Sequence, residues 1–197
     1  MKLVLGDYSS RLEDVQREDI WYKNLAAAKR RPEQKFDSKP QIGIRLDKYP
    51  EMAELFRERG VKIVEFPDSK DPSVLHHCIE LRAYPKMREK RFGSGLEQVP
   101  KIVVKSTEET KRLKQRHFGI CFDAVSLKNV IIDFAWYDSD GSNYVIPAIN
   151  AIWAEIDQSG GGFNQAEIDR RYGYSEENED ENADPDEEYD EEDVPFN

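Results

Sequence analysis

Apolar and polar residues alternate in several short segments in the middle of the chain. In "QIGIRL" the side chains of Ile42, Ile44 and Leu46 fall on one face, a period of two that predicts a half-buried strand. The next segment, "PEMAELFRERG", has Pro50 in its first turn and Gly60 just past its end, which is typical of a short helix. The pattern therefore predicts a strand followed at once by an inserted helix.

Further segments rich in Val, Ile and aromatic residues predict the other strands. They are "VKIVEF", "VLHHCIELRAY", "KIVVKS" and the two arms of "NVIIDFAWYDSDGSNYVIPAINAIWAEI", in which "SDGS" supplies a hairpin turn. Alternation places Ile79, Leu81 and Trp136 in the core, and Arg82 and Tyr84 towards solvent. About five strands, one early helix and long loops predict a mainly β fold, a small mixed barrel.

The two ends of the chain differ in composition from the middle. Residues 1–38 contain good helix formers in "RLEDVQREDIWYKNLAAAKRRPEQ" and predict a helical N-terminal arm. Residues 39–158 form the predicted β domain, and residues 159–175, which include "SGGGF", form a Gly-containing linker. Residues 176–197 have almost no apolar content, which predicts a disordered acidic tail with an apolar tip.

The net charge of -11 is concentrated in that tail. Thirteen of the 40 Asp and Glu residues lie in residues 176–197, which contain no Lys or Arg, so residues 1–175 hold 27 acidic and 29 basic side chains. Between Arg82 and Arg116 there are 11 Lys or Arg and 4 Glu. This asymmetry predicts a body that meets a polyanion and a tail that imitates one.

Catalytic signatures are missing from the sequence. It has no GxSxG, P-loop, HExxH or GxGxxG, and the acidic residues of "DFAWYDSDG" fit a turn better than a metal site. His76 and His77 fall on opposite faces of one strand, so they are not expected to share a metal ion. Cys78 and Cys121 lack zinc-type spacing and are expected as reduced thiols. We expect a non-enzymatic protein without a cofactor.

Membrane and export segments are also not expected. No apolar run approaches the ~20 residues that span a bilayer. The start, "MKLVLGDYSS", lacks the longer apolar region of a signal peptide. A cytosolic protein is predicted.

Aromatic residues interleave with the basic segment between residues 82 and 116. Binding of single-stranded DNA needs cations along the backbone path and ring faces on which bases stack, at ~1–3 kcal/mol per stacked base. A solvated surface is the alternative interpretation of the basic run. Tyr144, beside the hairpin turn, is a further candidate for a base platform. The predicted DNA-binding residues are Arg82, Tyr84, Lys86, Arg88, Lys90, Arg91, Phe92, Lys101, Lys105, Lys111, Arg112, Lys114, Arg116 and Tyr137.

The order of these segments resembles that of phage single-stranded DNA-binding proteins of the T7 replication type. The similarity begins with "QIGIRL" and "YPEMAELFRERG", continues through "CIELRAY" and "KIVVKS", and is closest in "KNVIIDFAWYDSDGSNYVIPAINAIWAEI". A Gly-rich break and an acidic tail with a terminal aromatic residue follow in the same order. The resemblance covers residues 39–197, and residues 1–38 have no counterpart in that family.

The resemblance implies a five-stranded OB-fold barrel that coats single strands in phage DNA replication, recombination and repair, in the cytoplasm of the infected bacterial cell. In that family the acidic tail competes for the DNA groove and recruits replication proteins such as DNA polymerase and helicase-primase, and homodimers are common. The implied partner-binding tip is Asp193, Val194, Pro195 and Phe196, which also resembles the Asp-aliphatic-Pro-Phe end of bacterial single-stranded DNA-binding proteins. Asn197 after the Phe departs from that pattern.

Two other function classes stay open at this point. In an acidic DNA mimic or host-takeover protein, the tail would be the active part and would bind a host nuclease or polymerase. In a nuclease, the acidic residues around "DFAWYDSDG" would support metal-dependent cleavage. The basic, aromatic middle of the chain argues against the first, and the missing catalytic constellation argues against the second.

Overall fold

Ten strands and one α-helix make up the regular structure of the described residues. The computed structural model describes residues 1–6, 9–26, 39–68, 70–83, 100–106, 110–113, 117–138 and 143–157. A 3-10 turn, Arg17–Asp19, and a π-helical turn, Gly119–Asp123, join some of these elements. The strands are β1 (Lys2–Val4), β2 (Ser9–Val15), β3 (Ile20–Asn24), β4 (Gln41–Arg45), β5 (Val64–Pro67), β6 (Leu75–Arg82), β7 (Lys101–Lys105), β8 (Thr110–Arg112), β9 (Leu127–Asp138) and β10 (Val145–Ile156), and the helix is α1 (Pro50–Glu58).

All ten strands belong to one mixed sheet. Its main path is β1-β2-β9-β10-β6-β4-β3, with β5 paired to β6, and with β7 paired to β10 and β8. Strand β10 is antiparallel to β9 and parallel to both β6 and β7, with Ala148 opposite Arg82 and Ala151 opposite Lys101. In the described part of the chain the end strands β1 and β3 each pair on one side only, so the sheet is open.

Several predictions about the middle of the chain are confirmed. "QIGIRL" contains β4, and Ile42, Ile44 and Leu46 are buried. Helix α1 begins at Pro50 and is followed by Gly60, whose φ of +79° is in the region that favours glycine. "VLHHCIELRAY" and "KIVVKS" contain β6 and β7. The hairpin is formed by β9 and β10, and its turn residues 139–142 lie outside the described residues.

The predicted helical arm is wrong for the described part of residues 1–38. Residues 2–24 contain three strands, of which β2 pairs with β9 and β3 pairs with β4. Leu12 and Val15 of β2 are fully buried in the core. The free energy of burial and strand pairing outweighs helix propensity here, because the helix propensities of ordinary residues differ by only a few tenths of a kcal/mol per residue. Residues 27–38 lie outside the described residues.

The predicted five-stranded barrel is also corrected. The described residues show an open mixed sheet of ten strands, because three strands come from the segment assigned to the arm and the short strand β8 follows β7. The coarser prediction, a mainly β fold with one inserted helix, is confirmed. The linker of residues 159–175 and the tail of residues 176–197 lie outside the described residues.

The main hydrophobic core lies on one face of the sheet, which we call the inner face. Phe56 of α1 packs there against Phe134 and Trp136 of β9, with ring centroids 6.1 and 5.7 Å away. Trp136, predicted in the core, is partly buried and packs against it, and its Nε1 donates to the hydroxyl of the buried Ser10. The opposite face, called the outer face below, carries the side chains between the core residues of each strand.

Candidate nucleic-acid interface

Strands β4 and β6 present polar side chains on the outer face. Their register places Gln41 opposite Arg82, Gly43 opposite Glu80 and Arg45 opposite Cys78. The residues between these positions, among them Ile42 and Leu81, are buried in the inner core. Because side chains alternate along a strand, the three pairs share the outer face.

An irregularity in β3 adds two consecutive aromatic residues to this face. The pairing of β3 with β4 shifts between Ile20 and Tyr22, which leaves Trp21 as an extra residue. The ring of Tyr22 lies over Gly43, where a Cβ atom would be 2.5 Å from Tyr22 Cε1. The ring of Trp21 lies under the guanidinium of Arg45. Both aromatic side chains therefore lie over outer-face residues of β4.

Trp21, Arg45 and Phe66 form an aromatic and cationic cluster, called the Trp21 cluster below. Arg45 Cζ lies 4.1 Å from the centroid of the Trp21 ring, and the Phe66 ring is stacked on Trp21 with centroids 5.4 Å apart. The buried Nε of Arg45 has no hydrogen-bond partner among the described residues. The ring contact therefore holds the guanidinium, an interaction of about 0.5–2 kcal/mol.

His76 borders this cluster and is held between two carboxylates. Its ring centroid lies 5.5 Å from that of Trp21. Its Nδ1 is 2.8 Å from Asp47 Oδ2, and its Nε2 is 3.0 Å from Asp68 Oδ2. The hydrogen bonds to Asp68 and Asp47 raise the pKa of His76, and the bond from His76 is the main reason that the pKa of Asp68 falls to about 2. The structure thus favours a protonated imidazole beside the Trp21 ring.

A second polar group on the outer face is centred on the Glu80 carboxylate. Its Oε1 accepts hydrogen bonds from Tyr22 Oη at 3.0 Å and from Gln41 Nε2 at 3.2 Å. Its Oε2 accepts from Arg82 Nη2 at 2.7 Å. Burial and the nearby Glu80 raise the pKa of Tyr22, so the phenol keeps its proton and donates. The network fixes four side chains from three strands in one arrangement.

An open cavity of about 120 Å³ lies beside this network, between β6 and the start of β10. Apolar side chains form much of its wall, and Glu80, Arg82 and the exposed Lys62 supply charge. The side chain of Tyr144 at its mouth is 51% exposed. We call it the β6–β10 cavity. Its lining residues are Lys62, Val64, Glu80, Arg82, Tyr144, Val145, Ile146 and Pro147.

The cations predicted on β6 and β7 follow one another along the same edge of β10. Arg82 is opposite Ala148 and lines the cavity, and Lys101 is opposite Ala151, roughly 10 Å further along the strand. Lys105, at the other end of β7, pairs with Glu155. The structure thus brings Arg82, Lys101 and Lys105 to one edge.

The other predicted site residues are placed differently or lie outside the described residues. Lys111 and Arg112 are exposed on β8. Tyr137 is 7% exposed, so little of its ring is open to a stacked base, whereas Tyr144 is 51% exposed. Outside the described residues lie Tyr84, Lys86, Arg88, Lys90, Arg91, Phe92, Lys114, Arg116, Asp193, Val194, Pro195 and Phe196.

Reasoning from the sequence missed Trp21, Arg45, Phe66 and Lys62 as site residues. Trp21 lay in the segment predicted to be helical, and the irregularity that turns it to the outer face depends on pairing with β4. Arg45 falls between the core positions Ile44 and Leu46, so the alternation in "QIGIRL" places it on the opposite face, where it contacts Trp21. That position was the one signal available in the sequence.

The described residues give no sign of a metal site or a membrane-spanning helix. No group of three or more His, Cys, Asp or Glu side chains among them is suited to hold a metal ion. None of their helices has the length and apolar character that crossing a bilayer requires. Neither Cys78 nor Cys121 is in a disulfide bond within the described residues, and burial raises the pKa of Cys78 to about 12.

The chain matches no protein-family model and no curated protein. Among solved structures it is similar to the single-stranded DNA-binding protein from bacteriophage Enc34 in complex with single-stranded DNA, at 12% identity over 82% of this chain and 99% of that chain, with a TM-score of 0.43. A C-terminal truncation of the same phage protein matches at 13% identity over 80% and 97% of the two chains, with a TM-score of 0.40. These scores are too low to support a functional argument, which rests instead on the side chains of the outer face.

Proposed function

We propose that this protein binds single-stranded DNA across the outer face of its sheet and catalyses no reaction. The observation that carries this proposal is the Trp21 cluster and the β6–β10 cavity on one face. From Cys78, opposite Arg45, to Arg82 at the cavity is four residues of β6, roughly 13 Å. Both places combine aromatic rings with cations, which single-stranded DNA needs for its bases and its phosphates.

The preference for single strands follows from the geometry of stacking. A base can stack on an exposed ring such as that of Tyr144 only when it has left its own duplex stack, whereas the Arg45 guanidinium and the Phe66 ring already pack on the Trp21 ring. The cations Arg45, Lys62 and Arg82 lie around these rings and contribute a salt-dependent attraction to phosphates. The proposed role is the coating of single strands in phage DNA replication, recombination and repair.

The test is a binding measurement on the full chain with a labelled oligonucleotide. Fluorescence anisotropy should show tighter binding to single-stranded than to double-stranded DNA, with no cleavage when magnesium is added. Tyr144→Ala should weaken binding by about 5- to 100-fold, the loss of one stacked base. Lys62→Ala should lower the slope of log affinity against log salt by about one.

Lys48→Ala is the matched control for Lys62→Ala. Lys48 is also exposed, pairs with Glu18 at 4.0 Å and is not among the residues that line the β6–β10 cavity. Its removal should leave the affinity within about twofold. Equal binding of the parent and the Tyr144→Ala protein would contradict the proposed platform. A body that binds no DNA at all would favour the acidic DNA mimic instead.

The acidic tail has a proposed part in the same function. Its 13 carboxylates are tethered to a body that has a net charge of about +2, so they reach the cations of the outer face at high effective concentration. Single-stranded DNA would displace them and free the tip of Asp193, Val194, Pro195 and Phe196 for replication proteins such as a polymerase or helicase-primase.

A further inference from the structure

We infer that the β6–β10 cavity receives one nucleobase and that Glu80 selects a base with an exocyclic amino group, such as cytosine or adenine, over thymine. The inference rests on the proposed binding of single-stranded DNA and adds a base preference to it. It is carried by the one acceptor position of Glu80 that the network leaves unfilled beside the cavity.

The hydrogen bonds of Glu80 can be counted. Each carboxylate oxygen accepts about two hydrogen bonds. Both positions on Oε1 are taken, by Tyr22 Oη at 3.0 Å and Gln41 Nε2 at 3.2 Å. Among the described residues Oε2 accepts only from Arg82 Nη2, at 2.7 Å, and Glu80 lines the cavity with a side chain that is 21% exposed. One acceptor position therefore remains for a donor inside the cavity.

The carboxylate cannot easily turn away from a base that presents an acceptor at position 4. Three donors from different strand positions hold Glu80, and Gln41 Nε2 also donates to Tyr22 Oη at 2.7 Å. Thymine would place its O4 acceptor against this fixed acceptor, with no hydrogen between them. Cytosine N4 and adenine N6 are donors at the corresponding edge, and carboxylates accept from cytosine N4 in known base contacts.

The rest of the cavity suits a base better than a phosphate. Val64, Ile146 and Pro147 supply apolar walls, and the exposed ring of Tyr144 lies at the mouth. The negative charge of Glu80 disfavours a phosphate inside the cavity. Lys62 and Arg82 at its edge attract the phosphates that flank an inserted base.

The test uses two single strands of 20 nucleotides that differ only at one edge of the base. Oligonucleotides of 5-methyl-deoxycytidine and of thymidine share the 5-methyl group, but the first carries a 4-amino group beside an unprotonated N3 and the second a 4-oxo group beside N3–H. The full-length protein should bind the first about 5- to 50-fold tighter. The Glu80→Gln protein should bind the two within about twofold, because an amide can both donate and accept.

Glu65→Gln is the control for the loss of one negative charge. The Glu65 side chain is 55% exposed and alternates with Val64 and Phe66, so it lies on the other side of β5 from the cavity. It should keep the parent's ratio of the two affinities. If thermal melting shows that Glu80→Gln does not fold, Glu80→Asp, which draws the carboxylate back by one carbon, should lower the ratio instead.

The outcomes separate this inference from the proposed function. Equal affinity of the parent protein for both strands overturns the base preference and leaves single-stranded DNA binding intact. A ratio that persists in Glu80→Gln overturns the assignment to Glu80. Failure of the parent protein to bind either strand overturns the proposed function itself.

Discussion

Gly43 leaves the space in which the ring of Tyr22 lies. A Cβ atom at this position would be 2.5 Å from Cε1 and 2.8 Å from Cδ1 of that ring, closer than such contacts occur. The position of Tyr22 in turn sets the hydrogen bond from its hydroxyl to Glu80. The lack of a side chain at Gly43 on β4 therefore allows Tyr22 to hold the Glu80 carboxylate on β6.

The substitution Gly43→Ala should displace Tyr22 and destabilise the fold by about 1–3 kcal/mol, because the ring is packed and the strand cannot move away from it. Thermal melting of the parent and the variant measures this. In a Tyr22→Ala background the same substitution should cost less than about 0.5 kcal/mol. An equal cost in both backgrounds would show that Tyr22 is not the obstacle.

Lys23 is a half-buried cation whose charge opposes folding at neutral pH. Its Nζ donates to the carbonyl of Val125 and lies 5.5 Å from the centroid of the Phe122 ring. Burial lowers the pKa of Lys23 from 10.5 to about 8. Between pH 8 and 10.5 the unfolded chain binds more protons at this residue than the folded chain. Lys23 therefore makes the free energy of unfolding increase as pH rises.

The difference in unfolding free energy between the parent and Lys23→Met should therefore change with pH. Between pH 8 and 10.5 the parent should become more stable relative to Lys23→Met by up to about 3 kcal/mol. The contributions of titrating groups that both proteins share cancel in this difference. Urea denaturation at several pH values measures the difference. Parallel stability curves across that range would refute the lowered pKa.

At the scale of elements, the N-terminal strands contribute side chains to both the core and the outer face. Strand β2 pairs with β9 and places Leu12 in the core, and Arg11 of the same strand forms an ion pair with Asp133, Nε to Oδ1 at 2.6 Å. Strand β3 carries Trp21 and Tyr22 to the outer face. These strands therefore contribute to both stability and the candidate site.

Leu12→Ala should lower the free energy of unfolding by about 2–5 kcal/mol, because it leaves a cavity in a packed core. Leu5→Ala provides the comparison, since Leu5 is 42% exposed and its loss should cost less than about 1 kcal/mol. Chemical denaturation of both variants gives the two values. If the N-terminal segment were a peripheral arm, both substitutions would instead lower the free energy of unfolding by similarly small amounts.

At the scale of the whole molecule, charge is separated along the chain. Residues 176–197 hold 13 carboxylates and no Lys or Arg, whereas the body is about +2. On the body, Arg82, Lys101 and Lys105 lie along one edge of β10. The two charge distributions are complementary, so the tail and a DNA strand would compete for the same cations.

Deletion of residues 176–197 should therefore tighten the binding of single-stranded DNA, most strongly at low salt, where charges are least screened. Anisotropy titrations from low to high salt would show the two proteins converging. Phe196→Ala, which keeps all 13 carboxylates, should bind like the parent. An affinity that the deletion leaves unchanged at every salt concentration would exclude competition by the tail.

The sequence by itself determined the local elements of the middle of the chain. The period of two in "QIGIRL" and "VLHHCIELRAY", the Pro50 start of α1 and the long hairpin correspond to β4, β6, α1, β9 and β10. The same alternation places Arg45 and Arg82 on the face opposite the core residues. These features depend on neighbours a few residues apart, which a single sequence displays directly.

Only the tertiary structure decided the use of the N-terminal segment and the composition of the candidate site. "RLEDVQREDIWYKN" has acceptable helix propensity, and pairing with β4 and β9, more than a hundred residues away in the case of Arg11 and Asp133, makes it strand. The irregularity at Trp21, the fit of Tyr22 over Gly43 and the unfilled acceptor of Glu80 arise from such long-range contacts. The local sequence pattern does not reveal these contacts, because their free energy comes from burial and strand pairing that exist only in the folded sheet.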